Sequence, residues 1–355
     1  MKIAIPSEIK PLEGRVALSP EACSDLVQAG HEVIVEHNAG RLSGYLDDQY
    51  VAAGAAIAAD AATTYAQGEL IVKVKEPVAG DLALLQQHHL LFCFLHLAAE
   101  ARLAQKLQDI GLTAVGFETV ETDNRQLPLL APMSDIAGRL ATQIGTTLLH
   151  QPQGGKGLLL GGVPGAERGR VVIIGAGNAG GNAAEVAAAM GAEVVVFDLR
   201  RDRLAAMREL GANVTGLYPY PDAIRNAVAE ADLLIGAALH TGERAPHIVS
   251  RDMVASMTPG SVIIDISVDQ GGCIETTRPT TYESPTYIEE GVVHFAVTNM
   301  PGAVPRSASQ ALSAVLVPFV QALARPDWQD TPSLARGINV AAGKLIHPAL
   351  KESLA

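Results

Sequence analysis

The sequence is poor in aromatic residues, charged residues and cysteine. Aromatic residues make up 4% and charged residues 18% of the 355 residues, whereas 48% are hydrophobic. The interior must therefore be built mainly from Ala, Val, Leu and Ile, which is typical of layered sheets and helices. The length and the apolar content together predict two well-filled domains.

Features of several other protein classes are also missing. No stretch reaches the roughly 20 apolar residues of a membrane span, and the N-terminal MKIAIPSEIK has no signal-peptide core. The three cysteines lack metal or disulfide spacing, which indicates a reducing compartment. A net charge of -12 without a Lys/Arg run argues against nucleic acid binding. We expect a cytoplasmic protein with no membrane or nucleic acid partner and no metal site.

The segment from Val171 to Asp198 reads as a strand, a tight turn, a helix that ends at Gly191, and a second strand. A G-x-G-x-x-G spacing follows the first strand, as in dinucleotide-binding turns, where one glycine makes the turn, one admits the pyrophosphate and one lets the helix lie close. The three glycines are Gly175, Gly177 and Gly180. A purely structural turn is the alternative, but the flanking strand, helix and terminal acid favour a nucleotide site.

The acidic residue at the end of the second strand predicts which dinucleotide binds. Asp198 is placed to accept hydrogen bonds from both ribose hydroxyls and would repel a ribose phosphate, which favours NAD over NADP. Arg200 and Arg201 follow closely and could weaken that preference.

Strand and helix patterns alternate along most of the chain. Strands are expected at 2–6, 31–36, 55–58, 70–74, 90–95 and 112–117, and after Asp198 at 213–217, 232–237, 261–266 and 292–297. The fold class is therefore α/β, with two doubly wound parallel-sheet, Rossmann-like domains and a cleft between them. We assign residues 1–127 to a substrate domain and 128–305 to an NAD-binding domain, whose linker helix Ser134 should cap. Residues 306–355 form helices that return to the first domain.

Four polar residues stand after strands, where open α/β sheets bind ligands. They are Arg15, Lys75, His96 and Asp269. Two cations could hold a carboxylate, while an imidazole and a carboxyl could exchange protons, so the set suits an anionic keto-type substrate.

Each of the four residues also has a structural interpretation. Arg15 could be solvated, and Lys75 could pair with the neighbouring Glu76. His96 could bond to backbone, and Asp269 could cap the turn before two glycines. The remaining histidines have no metal spacing and are expected to be structural.

Long strings of the sequence resemble the family of alanine dehydrogenase and the NAD-binding part of proton-translocating transhydrogenase. They include IPSEIKPLEGRVALSP, VKVKEP, FLHLAA, LPLLAPMSDIAGRLA, QGGKGLLLGGVPG, DISVDQGGC, RPTTYESPTY and VTNMPGAVP. The resemblance covers nearly the whole chain. It implies reversible, NAD-linked oxidative deamination of L-alanine to pyruvate and ammonia, and a homohexamer.

The resemblance also implies roles for individual residues. Arg15 and Lys75 match substrate-binding residues, and His96 and Asp269 match the catalytic pair, of which either could activate the water. The positions that match cofactor contacts are Ser134, Gly175, Gly177, Asn178, Gly180, Asp198, Arg203, Ala238, Leu239, Ile266, Ser267, Val268, Arg278, Val297, Thr298, Asn299 and Met300. The sequence departs from the family at His240, Thr241 and Tyr220, which bear on the expected nicotinamide and adenine ends.

Two alternative functions remain. One is a transhydrogenase-type nucleotide-binding subunit with a membrane partner, and the other is a related dehydrogenase for a larger amino acid.

Overall fold

The computed structural model describes residues 1–238 and 247–354. It divides into two compact units, one formed by Met1–Met133 with Gly302–Ala355 and the other by Ser134–Pro301. Each unit contains one sheet, with helices between successive parallel strands. No helix in the described part of the chain is long and apolar enough to cross a membrane.

The strands in chain order are β1 (Lys2–Ile5), β2 (Glu32–Glu36), β3 (Ala56–Ala58), β4 (Leu70–Val72), β5 (Leu90–Cys93), β6 (Thr113–Gly116), β7 (Arg170–Ile174), β8 (Glu193–Phe197), β9 (Val214–Leu217), β10 (Leu233–Gly236), β11 (Val262–Asp265), β12 (Thr286–Glu289), β13 (Val292–Phe295), β14 (Ile338–Ala341) and β15 (Lys344–Leu345). The α-helices are α1 (Pro20–Gln28), α2 (Asp47–Ala52), α3 (Ala61–Gln67), α4 (Ala79–Leu82), α5 (Ala101–Ile110), α6 (Ala131–Leu148), α7 (Asn178–Ala189), α8 (Arg201–Arg208), α9 (Pro221–Ala229), α10 (Arg251–Ala255), α11 (Pro305–Leu323), α12 (Pro332–Arg336) and α13 (Pro348–Ser353).

The sheet of the first unit has the order β15-β14-β6-β5-β4-β1-β2-β3. Its six N-terminal strands are parallel, and β14 and β15 continue the sheet in antiparallel pairing beyond β6. Strands β4 and β5 are buried along their whole length because helices cover both faces of the parallel sheet.

The sheet of the second unit has the order β12-β13-β11-β10-β7-β8-β9. The six parallel strands run in the Rossmann order 3-2-1-4-5-6, and β12 pairs antiparallel with β13. The prediction of two doubly wound, mostly parallel sheets is confirmed. The antiparallel strands β12, β14 and β15 were not predicted.

The predicted start of one helix is confirmed and that of another is wrong. Ser19 caps α1, accepting a hydrogen bond from the Ala22 N–H, and Pro20 is the first helical residue. Ser134 does not cap α6, which already begins at Ala131. Pro132 is the second residue of that helix. In the first turn of a helix the backbone nitrogens have no hydrogen-bond acceptor within the helix, so a proline is favourable there. Pro132 therefore lies inside the helix, although the sequence analysis placed it before the helix.

Candidate functional site

The glycine turn follows β7 at the carboxyl edge of the second unit's sheet. Gly175 has a φ of 100°, a left-handed conformation that favours glycine. A Cβ on Gly180 would lie 1.8 Å from the Gly175 carbonyl oxygen, so α7 can approach the turn only without a side chain. A Cβ on Gly177 would have its nearest neighbour, the Arg203 guanidinium, at 3.8 Å, which leaves space above the turn. The three glycines thus have the geometry that a pyrophosphate-binding turn requires.

Asp198 lies beside this turn at the end of β8. Its carboxylate accepts hydrogen bonds from the Ala176 N–H at 2.7 Å and the Arg200 N–H at 2.8 Å, and the Arg203 guanidinium lies 3.4 Å away. Only 8% of Asp198 is exposed. Because a carboxylate offers about four acceptor positions, these three contacts leave about one for a ribose hydroxyl.

A groove of about 510 Å³ opens next to the glycine turn. Three predicted cofactor residues line it, namely Gly177, Asn178 and Arg203. Arg200, which the sequence analysis placed close to Asp198, also lines it. The sequence did not point to the other residues of its wall, which are Asp135, Ala176, Gly181, Asn182, Glu185, Asp202, Met207 and Leu210. Asp135 accepts a hydrogen bond from the Asn182 side chain at 3.0 Å, and its position next to Ser134 was the one available signal.

Further predicted cofactor residues follow the neighbouring strands at the same edge of this sheet. Ala238 follows β10, Ile266 to Val268 follow β11, and Val297 to Met300 follow β13. The Ser267 hydroxyl donates to the Ala238 carbonyl at 2.7 Å, which joins the first two segments. Leu239, His240 and Thr241 lie outside the described residues.

Two predicted cofactor residues have other contacts. The Arg278 guanidinium lies 3.7 Å from the centre of the Tyr287 ring and 3.4 Å from a Glu289 carboxylate oxygen. Its side chain is 61% exposed, and it does not line the glycine-turn groove. Ser134 lies within α6, one residue before Asp135.

Asp269 is exposed and lies in a 3-10 helical turn, Ile266–Gln270, directly after β11. The residue that caps this turn is Asp265, which is fully buried. Its carboxylate accepts hydrogen bonds from the N–H groups of Ser267, Cys273 and Ile274 and from the Thr277 hydroxyl. Burial nevertheless raises the pKa of Asp265. Asp265, four residues before Asp269, therefore caps this turn.

In the first unit, Arg15 is buried and held by a carboxylate. Its Nε and Nη2 donate to the two Glu13 carboxylate oxygens at 2.7 and 2.6 Å, and its Nη1 lies 3.2 Å from the Met133 sulfur. Arg15 is 3% exposed, so it is not the solvated loop residue of the structural interpretation.

Lys75 follows β4 above a group of buried charges. The Glu8 carboxylate accepts hydrogen bonds from the Val74 N–H at 2.6 Å and the Lys75 N–H at 3.4 Å. The Lys73 Nζ lies 3.4 Å from Glu8 and 3.3 Å from Asp81. Glu8, which pairs with the Lys73 ammonium, therefore fixes the backbone at Lys75 through these hydrogen bonds.

His96 follows β5 and adopts a left-handed backbone conformation, with a φ of 51°. The Glu118 carboxylate accepts the His96 N–H at 2.6 Å. The Nδ1 of the ring lies 3.4 Å from a Glu76 oxygen. His96 therefore does bond through its backbone, as the structural interpretation allowed, but its ring also faces an acid, and the side chain is 40% exposed.

The segments of Lys75 and His96 lie side by side. The Lys73 N–H donates to the Phe92 carbonyl at 3.1 Å, and the Phe94 N–H donates to the Val74 carbonyl at 3.0 Å. These two bonds continue the pairing of β4 and β5 past the ends of both strands. Lys75 and His96 consequently follow neighbouring strands at one edge of this sheet.

Two buried histidines, His89 and His294, have backbone or hydroxyl partners. The His89 Nε2 lies 3.0 Å from the Tyr65 carbonyl, and the His294 Nε2 lies 2.8 Å from the Thr276 hydroxyl. Among residues 1–238 and 247–354, no group of three or more His, Cys, Asp or Glu side chains is placed to hold a metal ion.

The sequence and fold match known proteins along their whole length. The family model "Alanine dehydrogenase/PNT, N-terminal domain" matches residues 4–137, and "Alanine dehydrogenase/PNT, C-terminal domain" matches residues 141–348. An alanine dehydrogenase of Halomonas elongata is 48% identical over 99% of this chain and 96% of its own. A solved L-alanine dehydrogenase has a TM-score of 0.96 and 49% identity over both full chains. The transhydrogenase of Sinorhizobium meliloti has a TM-score of 0.85 and 26% identity over 98% of this chain and all of its own.

Proposed function

Because the chain belongs to the alanine dehydrogenase/PNT family, we propose that it is an NAD-dependent L-alanine dehydrogenase, which reversibly deaminates L-alanine to pyruvate and ammonia. The observation that carries the proposal is the edge of the first unit's sheet, where Lys75 and His96 follow adjacent strands. The full-length similarity to proteins named alanine dehydrogenase supports the same substrate.

The family and the Rossmann-like fold imply a nicotinamide dinucleotide. We propose NAD, because Asp198 stands beside the glycine turn, where it would accept ribose hydroxyls and repel a phosphate. The residues fit the pyrophosphate of a dinucleotide. Gly177 leaves space above the turn, and α7 begins at the next residue, so the free N–H groups of its first turn could bind the phosphates. When bound, such a dinucleotide would supply the acceptor for the hydride that leaves the alanine Cα.

The substrate carboxylate is held by Arg15 and Lys75 in this proposal. Charge-assisted hydrogen bonds of this kind contribute about 1.5 to 3 kcal/mol each. Glu13 accepts hydrogen bonds from Nε and Nη2 of Arg15 and so orients the guanidinium.

The catalytic pair is proposed to be His96 and Asp269. After hydride transfer from Cα, a water molecule adds to the iminium carbon, and one of the two residues takes the proton of that water. Loss of ammonia then gives pyruvate. The position of His96 next to Lys75 supports His96 as the group nearest the substrate carbonyl.

Three further assignments belong to the proposal. Residues 1–127 and 306–355 form the substrate domain, and residues 128–305 form the NAD-binding domain. The protein is a cytoplasmic homohexamer, and sedimentation of the purified protein would test the oligomeric state.

The function is tested by NADH oxidation with pyruvate plus ammonium, beside the same assay with larger 2-keto acids. Turnover with pyruvate only when ammonium is present supports the proposal. Faster turnover with a larger keto acid would assign the chain to a related amino-acid dehydrogenase. NADH binding without turnover on any keto acid would favour the transhydrogenase-type subunit.

A further inference from the structure

Glu76 contacts two basic side chains at the sheet edge that carries Lys75 and His96. One carboxylate oxygen is paired with the Lys10 Nζ, and the other lies 3.4 Å from the His96 Nδ1. The Glu76 side chain is 12% exposed, against 40% for His96. A largely buried acid thus lies behind the ring of a more exposed histidine.

The charge state of Glu76 follows from these neighbours. Burial raises its pKa, but the His96 ring, the Lys75 charge and the Lys10 ammonium outweigh burial and hold the pKa well below its usual value. Glu76 is therefore ionised at neutral pH. Because an ionised carboxylate can only accept hydrogen bonds, its charge 3.4 Å from Nδ1 favours the tautomer of the neutral imidazole that carries its hydrogen on Nδ1.

The backbone of His96 is fixed independently of its ring. Both the Leu95 and the His96 N–H groups donate to the Glu118 carboxylate, which supports the left-handed conformation. The ring stacks on Phe94, with 5.7 Å between centroids and an interplanar angle of 22°. Position and tautomer of the ring are thus determined by different residues, so the two can be separated by mutation.

We propose that Glu76, anchored by Lys10, is a positioning residue that holds His96 in the Nδ1–H tautomer and so presents Nε2 as the proton acceptor. The proposal rests on the proposed dehydrogenase function. As water adds to the substrate iminium, its oxygen forms the bond to carbon, the carbon-nitrogen π pair moves to nitrogen, and the released proton binds Nε2. Glu76 stabilises the resulting imidazolium, and the proton later leaves with the amine.

The first test measures the tautomer directly. The 15N chemical shifts of the full-length protein, with His96→Asn to assign the signal, should show protonated Nδ1 and unprotonated Nε2 in the neutral ring. In Glu76→Gln the amide can donate as well as accept, so the Nε2–H form should become populated. A wild-type ring protonated on Nε2 would overturn the proposal even if the variant failed to fold, and the result does not depend on the enzyme's activity.

The second test is kinetic. We expect Glu76→Gln to lower kcat with pyruvate and ammonium on the order of 10- to 100-fold, because part of the general-base contribution of His96 is lost, with little change in the KM for pyruvate. Glu76→Asp, which keeps the charge, should recover part of the rate, and Lys10→Met should have a smaller effect. Glu32→Gln, which removes the same charge from an exposed ion pair with Lys2, is the matched control. Wild-type kcat in Glu76→Gln would refute the positioning role.

Discussion

Replacing Lys73 by methionine should destabilise the first unit strongly. Lys73 is 1% exposed, and its partners Glu8 and Asp81 are 3% and 4% exposed. The substitution keeps the apolar stem but leaves two buried carboxylates without their cation, which typically costs about 3 to 5 kcal/mol. For a unit of this size, each kcal/mol lowers Tm by about 2 to 4 °C, so the expected loss is on the order of 6 to 20 °C.

The loss should depend on pH in a defined direction. Burial raises the pKa of Glu8, and the Lys73 charge opposes that rise. Without Lys73 the pKa of Glu8 rises further, so the folded variant binds a proton that the unfolded chain releases at the same pH. A carboxyl group whose pKa is raised by folding does not destabilise the protein at a pH below its unfolded pKa. As the pH rises from the unfolded to the folded pKa, the free energy of unfolding falls. The Tm deficit of Lys73→Met should therefore be smaller near pH 5 than near pH 8.

Differential scanning calorimetry of the wild type and the variant at the two pH values measures both effects. Lys2→Met, which removes an exposed ion pair with Glu32, is the control and should change stability by less than about 1 kcal/mol. A Tm loss for Lys73→Met no larger than that of the control, or one that grows as pH falls, would refute the reasoning.

Three further predictions concern the two proposed sites. Gly180→Ala should lower the free energy of unfolding by at least about 3 kcal/mol and abolish NADH binding, because its Cβ meets the Gly175 carbonyl. Gly181→Ala, whose Cβ has its nearest neighbour at 3.5 Å, is the control and should be tolerated. Equal Tm values for the two variants would contradict this prediction. Asp265→Ala leaves buried N–H groups unpaired, so it should lower stability by about 3 kcal/mol or more and weaken NADH binding in a fluorescence titration. His96→Asn, which tolerates the left-handed backbone, should lose turnover but keep NADH affinity; a parallel loss of affinity would indicate a structural histidine.

The parallel strands could be predicted from the sequence because each one is marked by a pattern of a few consecutive residues. The run Val171–Ile174 is apolar at every position, as expected of a strand buried on both faces, and the glycine spacing marks its turn without reference to distant residues. By contrast, β14 and β15 are short, and β14 joins the sheet by pairing with β6 from more than 200 residues away, so no local pattern predicted them.

The same distinction applies to the candidate site. The positions of Lys75 and His96 at strand ends could be read from the sequence, whereas their partners could not. Glu118 reaches the His96 backbone from 22 residues away, and Lys10 reaches Glu76 from 66 residues away. Such contacts depend on which strand ends are neighbours in the sheet, and therefore on the assembled fold.

The antiparallel strand β14 also bears on the order in which the chain folds during synthesis. Its partner β6 emerges from the ribosome more than 200 residues earlier, and the whole of the second unit is translated in between. At a translation rate of about 5 to 20 residues per second, one edge of β6 stays unpaired for on the order of 10 to 40 s. An unpaired edge is a template for other strands, so the nascent first unit has to avoid wrong pairing, including with a second nascent chain, until β14 arrives.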